Sequence, residues 1–310
     1  NVNTGKIKIV STVPEVKKKS TGSGFPAILG KKSWEKYSKD NKFYIYGRDH
    51  NLYLSHKDTL EDIQLTTDGE PYFSYTSNSS EKRDTACCYT LARWIDDTHI
   101  IFAFREDKRA IKTMTLVNSL ANPRPTTDTY KMPGDSGVSQ YDIALFNADT
   151  QEKIPVSIAK YPDQKVDISY SSTPGYVFFT RRSRPADYID LCRLDIHTGK
   201  VEELISEHCA PHMNIQLFKY HLINDGKEII WWSERNGKGQ YFLYDNNGNL
   251  KNAITPPDMV AGTIMKLDTL NRTIIVEGYG REKGINPHYR FFYKVNLDGK
   301  GFTLLTPGNG

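Results

Sequence analysis

The sequence predicts an all-β chain folded as a β-propeller of four-stranded antiparallel blades. The clearest hairpin covers residues 228–244, where the apolar run 229–232 and the aromatic run 241–244 flank a polar turn that contains glycine. Residues 245–248 add a second turn, because Asp, Asn and Gly tolerate positive φ. Residues 250–255 then provide a further strand, so this segment predicts a meander of three strands.

The same order of strands recurs along the chain. Each copy has an apolar strand, a charged turn, an aromatic strand ending in Asp or Asn, a turn with glycine and a short strand. The copies start about 45 to 75 residues apart, and the longest gap leaves room for another sheet around residues 141–146. This spacing is typical of propeller blades. The copies cover residues 43–69, 100–118, 176–205, 228–255 and 273–307.

A β-sandwich is the alternative fold, since its strands are also short and closely spaced. A sandwich, however, has no reason to repeat one strand-and-turn unit with the same residues at matching places. We therefore predict a single propeller domain over residues 41–310, because no change in composition marks a second domain. Residues 1–40 are polar and predict a blade remnant, with a strand at 6–10, followed by a loop.

Two segments interrupt the pattern. Residues 70–91 are aromatic at first and then polar, which predicts an exposed insertion between blades. Residues 119–138 contain Pro123, Pro125 and Pro133, so they cannot run as a central strand throughout. Part of this second segment is predicted to be an edge strand or an extended crossing.

Composition excludes several classes of protein. The formal net charge of +4 is mild, and the clusters at residues 17–19 and 181–184 are interpreted as solvated loops, so no nucleic-acid partner is predicted. No apolar run is long enough to cross a bilayer. The cysteines match no zinc spacing, and whether Cys192 pairs with Cys209 stays open.

No metal site or cofactor is predicted from the sequence. The one grouping that resembles a metal site is His208, Cys209 and His212, and a fourth ligand is not evident. Loop residues of these types are more often ordinary surface residues. The adjacent Trp231 and Trp232 must face opposite sides of a sheet, which favours packing between blades over a stacking platform.

Three motifs resemble the N-terminal propeller of the dipeptidyl peptidase IV-like serine peptidases of the prolyl oligopeptidase clan. Residues 231–237 with 241–248 are similar to that family's Trp-Ser-Glu-Arg-Asp-Gly blade. Residues 123–135 are similar to its proline-rich crossing, and residues 289–307 to its last-but-one blade. The resemblance extends from about residue 35 to the end of the chain.

The resemblance implies an eight-bladed propeller that caps an α/β-hydrolase domain and controls how peptides reach the catalytic serine. About six to seven blades or part-blades are expected in this chain. It contains no G-x-S-x-G nucleophile elbow, so no catalytic residue is predicted in it. We expect a piece of a longer protein, whose hydrolase domain lies downstream. The family further implies a peptide substrate, export to the periplasm or cell surface, and the option of a homodimer.

Family members select free amino termini with a pair of glutamates about ten residues before the tryptophan matched by Trp94. Paired carboxylates suit this task because they form ion pairs with an α-amino group. Here Glu81 and Asp84 flank Lys82 and Arg83, so the pair itself is missing and strict dipeptidyl selectivity is not carried over. Glu81 and Asp84 are the candidates to replace the pair, and a solvated loop is the alternative.

Two functions follow from these observations. The first is a propeller that gates substrate access in an exported serine exopeptidase. The second is a non-catalytic propeller that binds a peptide, a glycan or a protein partner.

Overall fold

The chain is made of antiparallel sheets that follow one another along the sequence. The computed structural model describes residues 32–59, 61–77, 86–120, 122 and 125–306, and within these ranges it contains strands but no helix. Five sheets have four strands each and one has two. The predicted all-β class, built from repeated four-stranded antiparallel sheets, is confirmed.

Four of the larger sheets are formed by strands that are consecutive in the chain, and each strand pairs with the next. The first sheet has β1 (Lys36–Tyr37), β2 (Phe43–Arg48), β3 (Asn51–His56) and β4 (Asp62–Gln64). The third sheet has β11 (Lys165–Thr173), β12 (Tyr176–Arg182), β13 (Tyr188–Asp195) and β14 (Val201–His208). The fourth has β15 (Tyr220–Ile223), β16 (Glu228–Ser233), β17 (Gln240–Asp245) and β18 (Leu250–Ala253). The fifth has β19 (Val260–Asp268), β20 (Thr273–Tyr279), β21 (Arg290–Asn296) and β22 (Thr303–Leu304).

The second sheet differs from the predicted arrangement. It contains β5 (Arg93–Trp94), β6 (Ile100–Asp107), β9 (Gln140–Asn147) and β10 (Lys153–Ile154), and its two central strands, β6 and β9, pair along their full length. Between these central strands, β7 (Thr113–Val117) and β8 (Pro125–Thr129) form a separate two-stranded hairpin, which we call the arm.

The first strand of the copy predicted at residues 100–118 and the strand predicted around 141–146 therefore belong to one sheet, and assigning them to two sheets was wrong. The physical reason is burial. Every residue of β7 is exposed, whereas Ile143, Leu145 and Phe146 of β9 are buried against neighbouring sheets. The first sheet likewise begins earlier than expected, because β1 lies inside residues 1–40. The strand predicted at residues 6–10 lies outside the described residues.

Each larger sheet packs face to face on the next one. Ile45 and Leu54 of the first sheet share a core with Ile101 of the second. On the other face of the second sheet, Phe102 shares a core with Phe179 of the third. The third, fourth and fifth sheets share the largest core. A sandwich would have two layers, so this succession of faces supports propeller blades.

Trp231 and Trp232 join the fourth sheet to both of its neighbours. Both side chains are fully buried. Nε1 of Trp231 donates a hydrogen bond to Glu207 of the third sheet at 2.7 Å, whereas Nε1 of Trp232 donates to the carbonyl oxygen of Ala261 in the fifth at 2.8 Å. The prediction that these adjacent tryptophans face opposite sides and pack between blades is confirmed.

The glycine that follows each aromatic strand also has a packing role. Gly248 has a φ of +81°, and a Cβ atom there would lie 1.8 Å from the carbonyl oxygen of Leu204 in the preceding sheet. Gly199 similarly approaches the carbonyl oxygen of Pro155. Any side chain would push the sheets apart, which explains why the glycine recurs at this place in the repeat.

His99 connects the first two sheets at the end opposite the arm. Its Nδ1 lies 2.8 Å from Asp149 and its Nε2 lies 3.1 Å from Asp40, which belongs to the first sheet's opening turn. Burial alone would lower the pKa of His99. The hydrogen bonds and charges of the two aspartates outweigh burial and raise the pKa above its ordinary value.

We predict that this contact makes stability depend on pH. Because the folded-state pKa is raised, the contribution is complete below the unfolded value of about 6.5 and is lost as pH rises through the folded value. The free energies of unfolding of wild type and His99→Gln are compared by thermal unfolding from pH 5.5 to 8.5. Wild type should be more stable by up to about 1 kcal/mol at the acidic end, and this difference should shrink as pH rises. The exposed His288→Gln serves as control, and a difference that does not vary with pH would contradict the prediction.

Candidate functional site

The connections between sheets and the central hairpin turns lie at the same end of the sheets. This follows from antiparallel pairing, because the turn after a second strand and the exit from a fourth strand are on one side. We call this side the loop end. A hydrogen bond ties one such connection to the preceding sheet: the amide of Met213, in the connection after β14, donates to the carbonyl of Ala186 in the β12–β13 turn at 2.9 Å.

A cleft of about 570 Å³ opens at the loop end between the third and fourth sheets. Its volume lies within the usual range for sites that bind small molecules or peptide side chains. Its walls come from the β12–β13 turn, the connection between the two sheets and the β16–β17 turn. The lining residues are Ala186, His212, Met213, Asn214, Ile215, Gln216 and Glu234.

Local hydrogen bonds hold the walls of this cleft in place. The amides of Leu217 and Phe218 donate to the carbonyl of Asn214 and close a turn. The amide of Asn214 donates to Oε2 of Glu234 at 2.8 Å, which ties the connection to the fourth sheet's hairpin. Met213 anchors the wall from below, since it is 1% exposed and belongs to the largest core. The cleft is therefore preformed.

The carboxylates around the cleft differ in how their charge is balanced. Glu207 is buried beneath it and accepts hydrogen bonds from Trp231 at 2.7 Å and from Arg235 at 3.0 Å, together with one from Ser233. Arg235 is thereby committed to Glu207. Glu234 forms no ion pair with any residue in the described part of the chain.

The predicted substrate residues Glu81 and Asp84 lie outside the described residues. The residues on either side of their segment pair with each other, as Thr76 forms an antiparallel bridge with Thr90 and the amide of Ser77 donates to the carbonyl of Tyr89. Tyr75 at this base is fully buried. The insertion predicted at residues 70–91 is thus not exposed throughout.

Sequence reasoning missed Arg105, which organises the same region. Its side chain is 3% exposed and forms ion pairs with Asp142 at 2.6 Å and Asp68 at 3.1 Å. The guanidinium also lies 3.7 Å from the ring centre of Phe73 and 4.0 Å from that of Tyr75. In the sequence, Arg105 stands at the end of an apolar strand and is followed by a charged run. That pattern predicts an ordinary turn.

The cluster at residues 181–184 was also misread, because Arg181 is buried and not in a solvated loop. Its side chain is 8% exposed and donates to Asp190 and Glu203, each at 2.8 Å. Arg181 sits on β12 directly opposite Asp190 of β13, so both side chains lie on the same face of the sheet. Arg184, by contrast, lies at the surface and pairs with Asp163.

His208, Cys209 and His212, the grouping that resembles a metal site in the sequence, do not come together as a set of ligands. The ring of His208 stacks on Tyr188 at 4.4 Å, whereas Sγ of Cys209 contacts the backbone carbonyl of His212. Among the described residues, no three His, Cys, Asp or Glu side chains are placed to hold a metal ion. Cys192 and Cys209 are both free thiols. No helix in the described ranges could span a bilayer.

The sheets and their loop-end cleft define a propeller-type domain. Residues 6–310 match the family model of the dipeptidyl peptidase IV (DPP IV) N-terminal region, so the chain belongs to that family. This confirms the resemblance seen in the sequence motifs.

Two solved structures are similar to this chain in fold. The crystal structure of Porphyromonas gingivalis dipeptidyl peptidase 4 has a TM-score of 0.64 and 19% identity, over 88% of this chain and 38% of that one. A protein described as a "putative dipeptidyl aminopeptidase IV" from Bacteroides ovatus ATCC 8483 has a TM-score of 0.56 and 17% identity, over 88% of this chain and 39% of that one. The chain thus spans about two fifths of either protein's length.

Proposed function

We propose that this chain is the substrate-gating propeller of a dipeptidyl peptidase IV-like serine exopeptidase. Catalysis would come from an α/β-hydrolase domain of the same protein, since the chain contains no nucleophile elbow. The propeller's contribution is to admit peptides and to position them. Family membership supports this role, and the similar solved structures are named as dipeptidyl peptidases.

The observation that carries the proposal is the preformed cleft at the loop end. It combines the partly exposed apolar side chain of Ile215 with polar groups that can bind a peptide, Gln216 and Glu234. Within the described residues, neither His212 nor Gln216 uses its side chain in a hydrogen bond, so both can contact a ligand. Because connections and central turns converge at this end, it is the side from which a gate would act.

The test uses the complete gene product. Release of dipeptides from peptides with free amino termini is measured by mass spectrometry, together with the activity of a Gln216→Ala, His212→Ala double variant. We expect KM to rise severalfold with little change in kcat, because these residues bind substrate without taking part in bond cleavage. Failure of a folded, complete protein to release any dipeptide would favour a non-catalytic propeller that binds a peptide, glycan or protein.

We further propose that the protein is exported to the periplasm or cell surface, as the resemblance implies. Cell fractionation with an antibody against this chain tests the location. Recovery of the protein in the cytoplasmic fraction alone would rule out export.

The arm supports a homodimer as part of the same proposal. Leu116 and Val117 are 57% and 72% exposed on a hairpin that, in the described part of the chain, pairs with no third strand. Exposed apolar side chains and an open strand edge are features of association surfaces. Sedimentation of the complete protein should give a dimer that Leu116→Asp weakens at least tenfold. Leu250 is similarly exposed but lies outside the arm, so Leu250→Asp should leave the dimer unchanged. A monomeric wild-type protein would contradict the proposed homodimer.

A further inference from the structure

The carboxylate of Glu234 differs from those of the other glutamates in the third and fourth sheets. Glu202, Glu203 and Glu228 each lie within 3 Å of an arginine or lysine nitrogen. Glu207 pairs with Arg235. Glu234 has no such partner among the described residues, although it stands directly beside Arg235 in the sequence. At the wall of the cleft, no cation of the described ranges therefore lies within ion-pair distance of this carboxylate.

One oxygen of Glu234 is already used for structure and the other is not. Oε2 accepts the amide of Asn214 at 2.8 Å, which fixes the orientation of the carboxylate. Oε1 accepts no hydrogen bond from the described residues. A fixed carboxylate with one unused oxygen is suited to accept a charge-assisted hydrogen bond, because little side-chain entropy remains to be lost.

A nearby thiol reports the negative field of this region. Cys209 lies in the connection that forms one wall, and burial raises the pKa of its thiol. The negative charges of Glu234 and Glu207 raise that pKa further, since they disfavour a thiolate. The field that disfavours the thiolate would favour a cation.

The rest of the cleft suits the hydrocarbon part of a long cationic side chain. Ile215 offers a partly exposed apolar side chain above the buried Met213, and Gln216 adds an amide at the wall. Lysine and arginine combine an apolar stem with a charged end, so their stems pack on such surfaces while the charge reaches a polar partner.

We propose that Glu234 makes the loop-end cleft selective for a lysine or arginine side chain of the bound peptide. The inference rests on the proposed peptide-binding function and adds the class of side chain that is preferred. Glu234 acts through a direct ion pair with the peptide, and Asn214 orients it.

The test measures binding of two peptides to the complete gene product by isothermal titration calorimetry. The peptides differ only in one central residue, Lys or Gln, and both carry the same free amino terminus and a non-hydrolysable second peptide bond, so the α-ammonium contributes equally and neither is cleaved. We expect the Lys peptide to bind about threefold to fivefold more tightly, in line with one partly exposed ion pair. Raising the salt to 0.5 M should reduce the difference.

Two variants assign the preference to Glu234. Glu234→Gln should bind both peptides equally, whereas Glu152→Gln, which removes the same charge at the opposite end of the second sheet, should keep the wild-type preference. Thermal unfolding checks that both variants fold. As a local readout, Glu234→Gln should speed alkylation of Cys209 at pH 8, followed by mass spectrometry of its peptide, because a lower thiol pKa gives more thiolate.

The outcomes separate this inference from the function it rests on. Equal binding of the Lys and Gln peptides by wild type, or an unchanged preference in Glu234→Gln, would overturn the inference while leaving peptide binding intact. Binding of neither peptide would count against both.

Discussion

Replacing Asp190 with alanine is expected to destabilise the domain by about 3 to 5 kcal/mol, because it removes the fully buried one of the two carboxylates that pair with the buried Arg181. Asp190 is fully buried on β13 and accepts four hydrogen bonds, from Arg181 at 2.8 Å, Lys160 at 3.0 Å, Tyr161 at 2.9 Å and Ser206 at 2.7 Å. Burial alone would raise the pKa of Asp190, yet these donors hold it below its ordinary value.

Urea unfolding followed by circular dichroism measures the loss of stability. The control is Asp167→Ala, whose carboxylate is 58% exposed and 3.5 Å from Lys165, and it should cost less than about 1 kcal/mol. Equal losses in the two variants would show that the buried network contributes no more than a surface pair.

Replacing Trp232 with alanine should cost a similar amount, about 3 to 5 kcal/mol, for a different reason. Its indole is fully buried between the fourth and fifth sheets, and it packs so closely that a Cβ atom on Gly239 would lie 2.2 Å from its ring. Truncation would leave a cavity and an unpaired carbonyl on Ala261.

Tyr289→Ala gives the comparison for the tryptophan variant, because Tyr289 is 50% exposed in the fifth sheet's hairpin region. That change should stay within about 0.5 kcal/mol. If Trp232→Ala lost no more than this, the fourth and fifth sheets could not be packed as described.

The hairpins could be predicted from the sequence because each depends on local signals. In the fourth sheet, Trp231 pairs with Phe242 and Ile229 with Tyr244, as the two aromatic runs and their glycine turn suggested. The repeat then predicted the succession of sheets. Local signals could not predict the pairing of β6 with β9. The whole arm separates these two strands in the sequence, and a strand is ordinarily expected to pair with the next strand along the chain.

The cleft was less predictable than the sheets. In the sequence, Glu234 belongs to one of the motifs shared with the family, and nothing else distinguishes it from a solvated turn residue. Its role depends on the amide of Asn214, which donates to it from the connection between the third and fourth sheets. It also depends on Glu207, which is the ion-pair partner of the neighbouring Arg235. Both are consequences of how successive sheets pack, so they become visible only once the sheets are assembled.

The position of the arm has a consequence for how the chain folds as it is synthesised. In the other four larger sheets a strand can pair with its successor almost as soon as that successor leaves the ribosome. The second sheet must wait until residues 108–139 and all of β9 have emerged, so the edge of β6 that pairs with β9 stays open the longest, although its other edge can already pair with β5. An apolar strand left open in this way is a natural binding segment for a chaperone during translation.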